Sequence, residues 1–439
     1  MITQQMNEIN HLLYNYRAVL FVLMCLACQL VGWRMWRRWV SGKTGRRIIN
    51  FVFIVFNLAW FFMVGTVYFG SGLLGPELFA AGHYLGIGQN RSDLLWAWVG
   101  RPAISWQVAY IFVLCPLGVV GSILLGLVRR LKKNSAESEN GSLDQSRRDF
   151  IKTASITGSL GILGVSGYGL FRQGSSPEIN HLTINVPHLP LALNGFTIAH
   201  LTDIHLGLWA SLSELEKAFM MIADAKPDMV ALTGDLVDRR ADYARLYLPP
   251  LQLLAKVPYG VWGVLGNHDH YTGAPEKVAG ILRGGGINML MDQQFNVEGL
   301  PLSIIGLDDQ GAQHSWMGSG PPTVPGAKDD PDVLDLKIVS GPSPRPEDFV
   351  ILLNHRPEGF RQAMRHGCHL YLAGHTHGGQ YQVPFNNQIN LSAAFYKYSS
   401  GLYHEHDGWL NVSRGLASVG IPFRLCAWPE ISVIKLVKS

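Results

Sequence analysis

Between residues 203 and 377, metal-donor side chains recur in short groups, each directly after an apolar run. The groups are Asp203-Ile204-His205, Gly234-Asp235-Leu236-Val237-Asp238, Gly266-Asn267-His268-Asp269, Asn354-His355-Arg356-Pro357 and Gly374-His375-Thr376-His377-Gly378-Gly379-Gln380. The preceding runs, 196–201, 229–233, 261–265, 349–353 and 370–373, have the length and composition of buried strands. A helix is predicted to open at a Ser213/Glu216 capping box, and another after Pro357. This alternation predicts a layered α/β unit. Ends of adjacent strands converge, so one pocket can receive side chains from all five groups. Mixed nitrogen and oxygen donors of this kind suit zinc, manganese or iron. A shared carboxylate suits two ions held about 3.5–4 Å apart.

The order D-x-H, GDxxD, GNH(D/E), H and GHxH resembles the calcineurin-like metallophosphoesterases, from about Phe196 to the C-terminus. The form GHTHGGQ, with Ser413-Arg414-Gly415-Leu416 and Pro429-Glu430-Ile431, resembles the YkuE-like branch, which includes the transmembrane protein with metallophosphoesterase domain. The resemblance implies two packed β-sheets flanked by helices, with the site at the strand ends. It implies that Asp203, His205 and His377 bind one divalent metal ion, that Asn267, His355 and His375 bind a second, and that Asp235 bridges them. Manganese, zinc and iron all remain open. A water between the ions would become the attacking hydroxide. His268 would protonate the leaving oxygen, and Asp238 would orient and charge that imidazole. Asp269 and His270 are expected behind the ligands.

The first half of the chain has a different character. Apolar runs over about 18–33, 48–69 and 108–128 approach the roughly 20 residues a helix needs to cross the hydrocarbon core. They are apolar on all sides, as buried or membrane-spanning helices are. Arg34, Arg37, Arg38, Lys43, Arg46 and Arg47 follow the first run, and Arg129, Arg130, Lys132 and Lys133 follow the third. The segment 70–106 carries only Arg91 and Arg101. By the positive-inside rule the basic segments are cytoplasmic and 70–106 lies outside. A polar linker then leads to Ser146-Arg147-Arg148-Asp149-Phe150-Ile151-Lys152 and a small-residue apolar stretch. This resembles a bacterial twin-arginine export signal, with the export machinery as an implied partner. The other reading is a plain fourth transmembrane helix with a basic flank. Both carry the chain after about 175 to the extracytoplasmic side.

The predicted organisation is an N-terminal α-helical transmembrane bundle over 1–128, a cytoplasmic linker over 129–152, an anchor over 153–172 and an α/β phosphoesterase domain over 178–439. Residues 310–346, rich in Gly, Pro and Ser, read as a long loop. A net charge of +4 gives no reason to expect nucleic acid as a partner. The one CxxC spacing, Cys25-Leu26-Ala27-Cys28, lies inside the first apolar run and suggests no zinc ribbon or thioredoxin motif, and Cys368 and Cys426 read as two buried thiols, with a disulfide between them the other possibility.

The expected function is hydrolysis of a phosphodiester or pyrophosphate bond, in a lipid-linked or envelope substrate, with membrane lipids as neighbours. An activity like that on UDP-2,3-diacylglucosamine is an alternative, although that substrate is cytoplasmic. A non-catalytic metal-binding module is another, and the intact His268 and Asp238 weigh against it. A transporter is disfavoured because the apolar runs lack acidic residues at their centres.

Overall fold

A computed structural model describes residues 30, 33, 34, 37, 42–64, 176–309 except 208 and 239, 334, 336, and 339–439 except 384, 406, 407 and 420–423. The chain divides into two compact units, one formed by Met1–Leu170 with Ile421–Phe423 and the other by the remainder.

In the first unit the described element is helix α1 (Lys43–Val64). Ile48, Phe51, Ile54, Val55 and Leu58 on it are exposed. Among the described residues no helix is long and apolar enough to cross a membrane. The predicted second span runs past the end of α1, and Lys43, Arg46 and Arg47 fill its first turns. The first predicted span, apart from Leu30 and Trp33, lies outside the described residues, as do the third, the fourth, the twin-arginine-like motif and most of the loop 310–346.

The second unit is built on two six-stranded sheets. The first has the order β1 (Glu178–Val186), β14 (Glu430–Lys438), β2 (Thr197–Leu201), β3 (Met229–Thr233), β4 (Val261–Val264), β5 (Ile287–Met289). The second has the order β12 (Gly401–Glu405), β13 (Gly408–Val412), β9 (Leu370–Ala373), β8 (Phe349–Leu353), β7 (Leu302–Gly306), β6 (Gln293–Asn296). Strands β2 to β5 are mutually parallel, as are β7, β8, β9 and β13. The longer β1 and β14 pair in parallel, and β14 runs antiparallel to β2.

The sheets face each other across one apolar layer. Ile198, Met229, Ala231, Trp262 and Val264 meet Leu302, Ile304, Phe349, Ile351, Leu353, Leu370 and Leu372 there. The outer face of the first sheet is covered by α2 (Leu212–Ala225) and α3 (Pro275–Gly284). That of the second carries α4 (Phe360–Arg365). Strands β3, β4, β8 and β9 are therefore buried on both faces and are apolar throughout but for Thr233 at the end of β3.

The helix predicted from Ser213 begins earlier. Ser211 is the N-cap, its hydroxyl accepting from Glu214 N and its own N–H donating to Glu214 Oε2 at 2.8 Å. Ser211 is still extended, so the cap falls where the chain first turns helical. Leu215, Ala218, Phe219 and Ile222 form the buried stripe of α2. Cys368 and Cys426 are free thiols; Cys368 is buried, but Cys426 is only half-buried.

Candidate metal centre

The five donor groups leave the C-terminal ends of β2, β3, β4, β8 and β9, so parallel pairing brings their loops to one end of the sandwich. Asp203, His205, Asp235, Asn267, His355 and His377 are buried there, as is Asp238. Ten non-glycine residues among those described have positive φ, and five are Asp203, His205, Asp235, His375 and His377. Left-handed backbone at such residues is costly and gathers at functional sites. The surroundings impose it. Gly374 lies so close to Asp203 Oδ2 and Thr202 Oγ1 that a Cβ would collide with both.

Two groups of donors emerge around Asp203 and Asp235, and a third unites His205, Asp238 and His268. In one, Asp203, His205 and His377 bring one ligand atom each within 4.8 Å of one another; in the other, Asp235, His355 and His375 do so. His377 Nε2 lies 3.3 Å from both Asp203 Oδ1 and His205 Nε2. His355 Nε2 lies 3.2 Å from both Asp235 Oδ2 and His375 Nδ1. Asp235 Oδ2 is also 3.5 Å from His205 Nε2, so it stands between the two groups.

Tautomers follow from the outer hydrogen bonds. His355 Nδ1 donates to the Thr233 carbonyl at 2.9 Å, and His377 Nδ1 donates to the Ala417 carbonyl at 2.9 Å. Each ring then turns its Nε2 toward a carboxylate: His377 is neutral there, whereas burial opposes protonation of His355 but Asp235 and Asp203 prevail and raise it to about 10. Lone pair against carboxylate is repulsive unless a cation or a proton lies between them. Asn267 adds a buried Oδ1 without a hydrogen-bond partner. This donor set fits divalent cations.

The pocket's fields reinforce that reading. Burial pushes the Asp203 carboxyl up. Burial acts in the same sense on Asp235, but the imidazoles of His355, His268 and His205 outweigh it and hold that carboxyl well below the usual carboxylate range. His375 and His377 are held neutral chiefly by burial, with Arg356 and His205 respectively adding to it.

Asp238 and His268 sit beside these groups. Asp238 Oδ2 is 3.3 Å from His268 Nδ1 and 3.6 Å from His205 Nδ1. The pair attracts as charges without an aligned hydrogen bond, since neither atom has a hydrogen-bond partner. Burial opposes protonation of His268, but Asp235 and Asp238 prevail and raise it to about 9. Its backbone N–H donates to Asp235 Oδ1 at 2.7 Å, tying the loop after β4 to the loop after β3. Asp269 completes that tie, accepting from the N–H groups of Leu236, Val237 and Gly266. His270 Nε2 lies 2.7 Å from Asp308 Oδ1, outside the donor groups.

Other partners carry no pattern in the sequence. Arg356 donates through Nη1 toward His375 Nε2 at 2.9 Å and through Nε to Asp309 at 2.9 Å. The Tyr396 hydroxyl lies 3.2 Å from the same His375 nitrogen. Arg424, fully buried, donates to the Ala417 carbonyl that orients His377. Arg356 had one visible signal, its place directly after His355; Tyr396 and Arg424 had none.

Two packed sheets with carboxylates and imidazoles converging at their strand ends define a metal-dependent hydrolase of phosphoric esters. Residues 196–379 match the family model "Calcineurin-like phosphoesterase". The uncharacterized metallophosphoesterase YkuE of Bacillus subtilis is 30% identical over 301 residues, 66% of this chain and 97% of that one. The transmembrane protein with metallophosphoesterase domain of Danio rerio is 30% identical over 352 residues, 78% of this chain and 74% of that one. Its Bos taurus namesake is 29% identical over 342 residues, 75% of this chain and 71% of that one. The chain belongs to the calcineurin-like phosphoesterases, in the branch of these relatives.

Proposed function

We propose that this protein is a membrane-anchored phosphoesterase with two divalent cations, cleaving a phosphodiester or pyrophosphate bond in a lipid-linked or envelope substrate. The observation that carries the reading is the place of Asp235, within 3.5 Å of His205 and 3.2 Å of His355, between the two donor groups. Anchoring is supported by the exposed apolar side chains of α1, the apolar runs of the first half and the name of the zebrafish relative. The working division is a transmembrane region over 1–128, a linker over 129–152, an anchor over 153–172 and a catalytic domain over 178–439, facing outward.

Asp203, His205 and His377 would hold one cation, Asn267, His355 and His375 the other, and Asp235 would serve both. The cations supply Lewis acidity toward phosphoryl oxygens and acidify water. Thr233 and Ala417 fix the tautomers of His355 and His377 through their carbonyls, leaving Nε2 free to ligate. Asp235 and Asp238 favour a proton on His268, which is placed to deliver it to the leaving oxygen. Asp238 keeps that proton on the ring and stabilises the imidazolium until transfer.

The test is hydrolysis by the purified chain loaded separately with manganese, zinc and iron. Bis(p-nitrophenyl) phosphate is cleaved in preference to p-nitrophenyl phosphate, and Asp235→Asn abolishes the activity. Bound ions without turnover under any metal would instead assign the centre to a non-catalytic module.

A further inference from the structure

The hairpin of β10 (Gln382–Val383) and β11 (Asn386–Asn390) runs into the 3-10 turn Leu391–Ala394. Together they expose Val383, Phe385, Ile389, Leu391 and Phe395. Phe385 at the hairpin bend is fully exposed and Phe395 is 81% exposed. One exposed apolar side chain is ordinary, whereas five in so short a stretch mark an interaction surface. These side chains project outward, a shape suited to insertion rather than to enclosing a ligand.

Composition narrows the partner. From Gln380 to Tyr396 there is no Asp, Glu, Lys or Arg. The polar residues among the apolar ones are Asn, Gln and Ser, which cost far less than charges to bring toward a bilayer. A protein partner places no such demand on so long a stretch.

Position narrows it further. The surface is continuous with the metal centre: Tyr396 follows Phe395 and reaches His375, and the backbone of Leu391 and Ser392 abuts Gly379 in the GHTHGG turn. The chain also enters the unit at this end. Glu178, the first residue of β1, pairs with Glu430, and β14 runs antiparallel to β2, so β1 starts where β2 finishes. Arg414, packed against Gly378, bonds Glu430 and lies 3.7 Å from Glu178. The predicted anchor ends only a few residues before Glu178.

We infer that the apolar surface formed by Val383, Phe385, Ile389, Leu391 and Phe395 inserts into the acyl region of a lipid bilayer and holds the mouth of the metal centre at the membrane surface. The inference rests on the membrane-anchored reading above. Burial of the apolar side chains supplies the attraction, as in interfacial segments generally. Substrate then enters sideways from the lipid, presenting its phosphate at headgroup depth.

The test is spin labelling in the full chain, reconstituted into phosphatidylcholine–phosphatidylglycerol vesicles. The five natural cysteines are replaced by alanine or serine, and a nitroxide is attached after Phe385→Cys or, as a reference, Lys256→Cys. Lys256 is exposed and precedes β4, away from the strand ends that carry the site. At 385 the label is reached by oxygen and loses accessibility to an aqueous nickel chelate; at 256 it keeps it. With the cysteines intact, a benzophenone amino acid at 385 crosslinks to phospholipid on irradiation. Nickel access at 385 overturns the inference. So does an immobilised label that crosslinks to this chain's own first half, or dipolar broadening from a second copy. Hydrolysis of bis(p-nitrophenyl) phosphate by the labelled samples reports separately on the hydrolase. A chain that fails to float with vesicles removes both the anchoring and the insertion.

Discussion

Asp235 and, at 3.3 Å from Nδ1, Asp238 Oδ2 together hold a proton on His268. Asp238→Asn keeps the volume and removes the charge, so His268 loses its proton at lower pH. Loss of general-acid assistance costs about 10²–10⁴-fold, but only where the leaving group needs a proton. Turnover of alkyl phosphodiesters is expected to fall in that range while p-nitrophenyl diesters lose far less, which steady-state kcat on matched leaving groups will show. His200 behaves in the opposite sense. It is buried between Thr233, 2.7 Å from Nε2, and Asn411, which donates to Nδ1 at 2.9 Å. Burial lowers it from 6.5 to about 4 despite the pull of Glu430. Such a drop corresponds to about 3 kcal/mol. Because the unfolded chain binds the proton first, this stability is complete above pH 6.5 and drains away as pH falls toward 4. Urea unfolding across that window should show a shallower pH slope for His200→Gln; an unchanged slope would place the titration elsewhere.

At the scale of elements, the site is a set of strand-to-loop transitions held in close backbone contact. Gly374, against Asp203 and Thr202, is the tightest joint between the two sheets' loops. Gly374→Ala should displace Asp203 by a few tenths of an ångström or more and lower turnover about 100-fold, the penalty typical of a misplaced reacting group. Circular dichroism should meanwhile report an intact fold. The strands that carry these loops were legible because burial on both faces leaves mostly apolar residues, His200 and Thr233 excepted: β3, β8 and β9 match the predicted bounds, and β2 and β4 differ by one residue. The other strands were not. β1, with polar residues between apolar ones, covers an edge, and β12 and β13 form a hairpin whose partner β9 lies far away in sequence. The donor residues were legible for a related reason. Each follows its strand directly, so the strand ends alone gather residues as far apart in sequence as Asp203 and His377. Tyr396 and Arg424 reach the same histidines through loops whose course only the folded chain fixes.

For the molecule as a whole, the centre gathers buried like groups that repel one another when no cation stands among them. Chelation should therefore lower the unfolding temperature, and manganese or zinc should restore it. A cation at a hundred times its Kd contributes about 2.7 kcal/mol. Differential scanning fluorimetry with and without chelator measures this, and the shift should vanish in Asp235→Asn.

The pairing of β1 with β14 has a consequence in time as well as in space. The last strand of this unit is inserted between its first two, β1 and β2, and joins them. Until it arrives β1 has no partner and the flank of β2 is an open edge, the kind of surface that recruits other chains. Synthesis of this unit must reach β14 before its first sheet can close. A chain stalled before Glu430 would have its complete set of metal donors and no closed sheet to hold them.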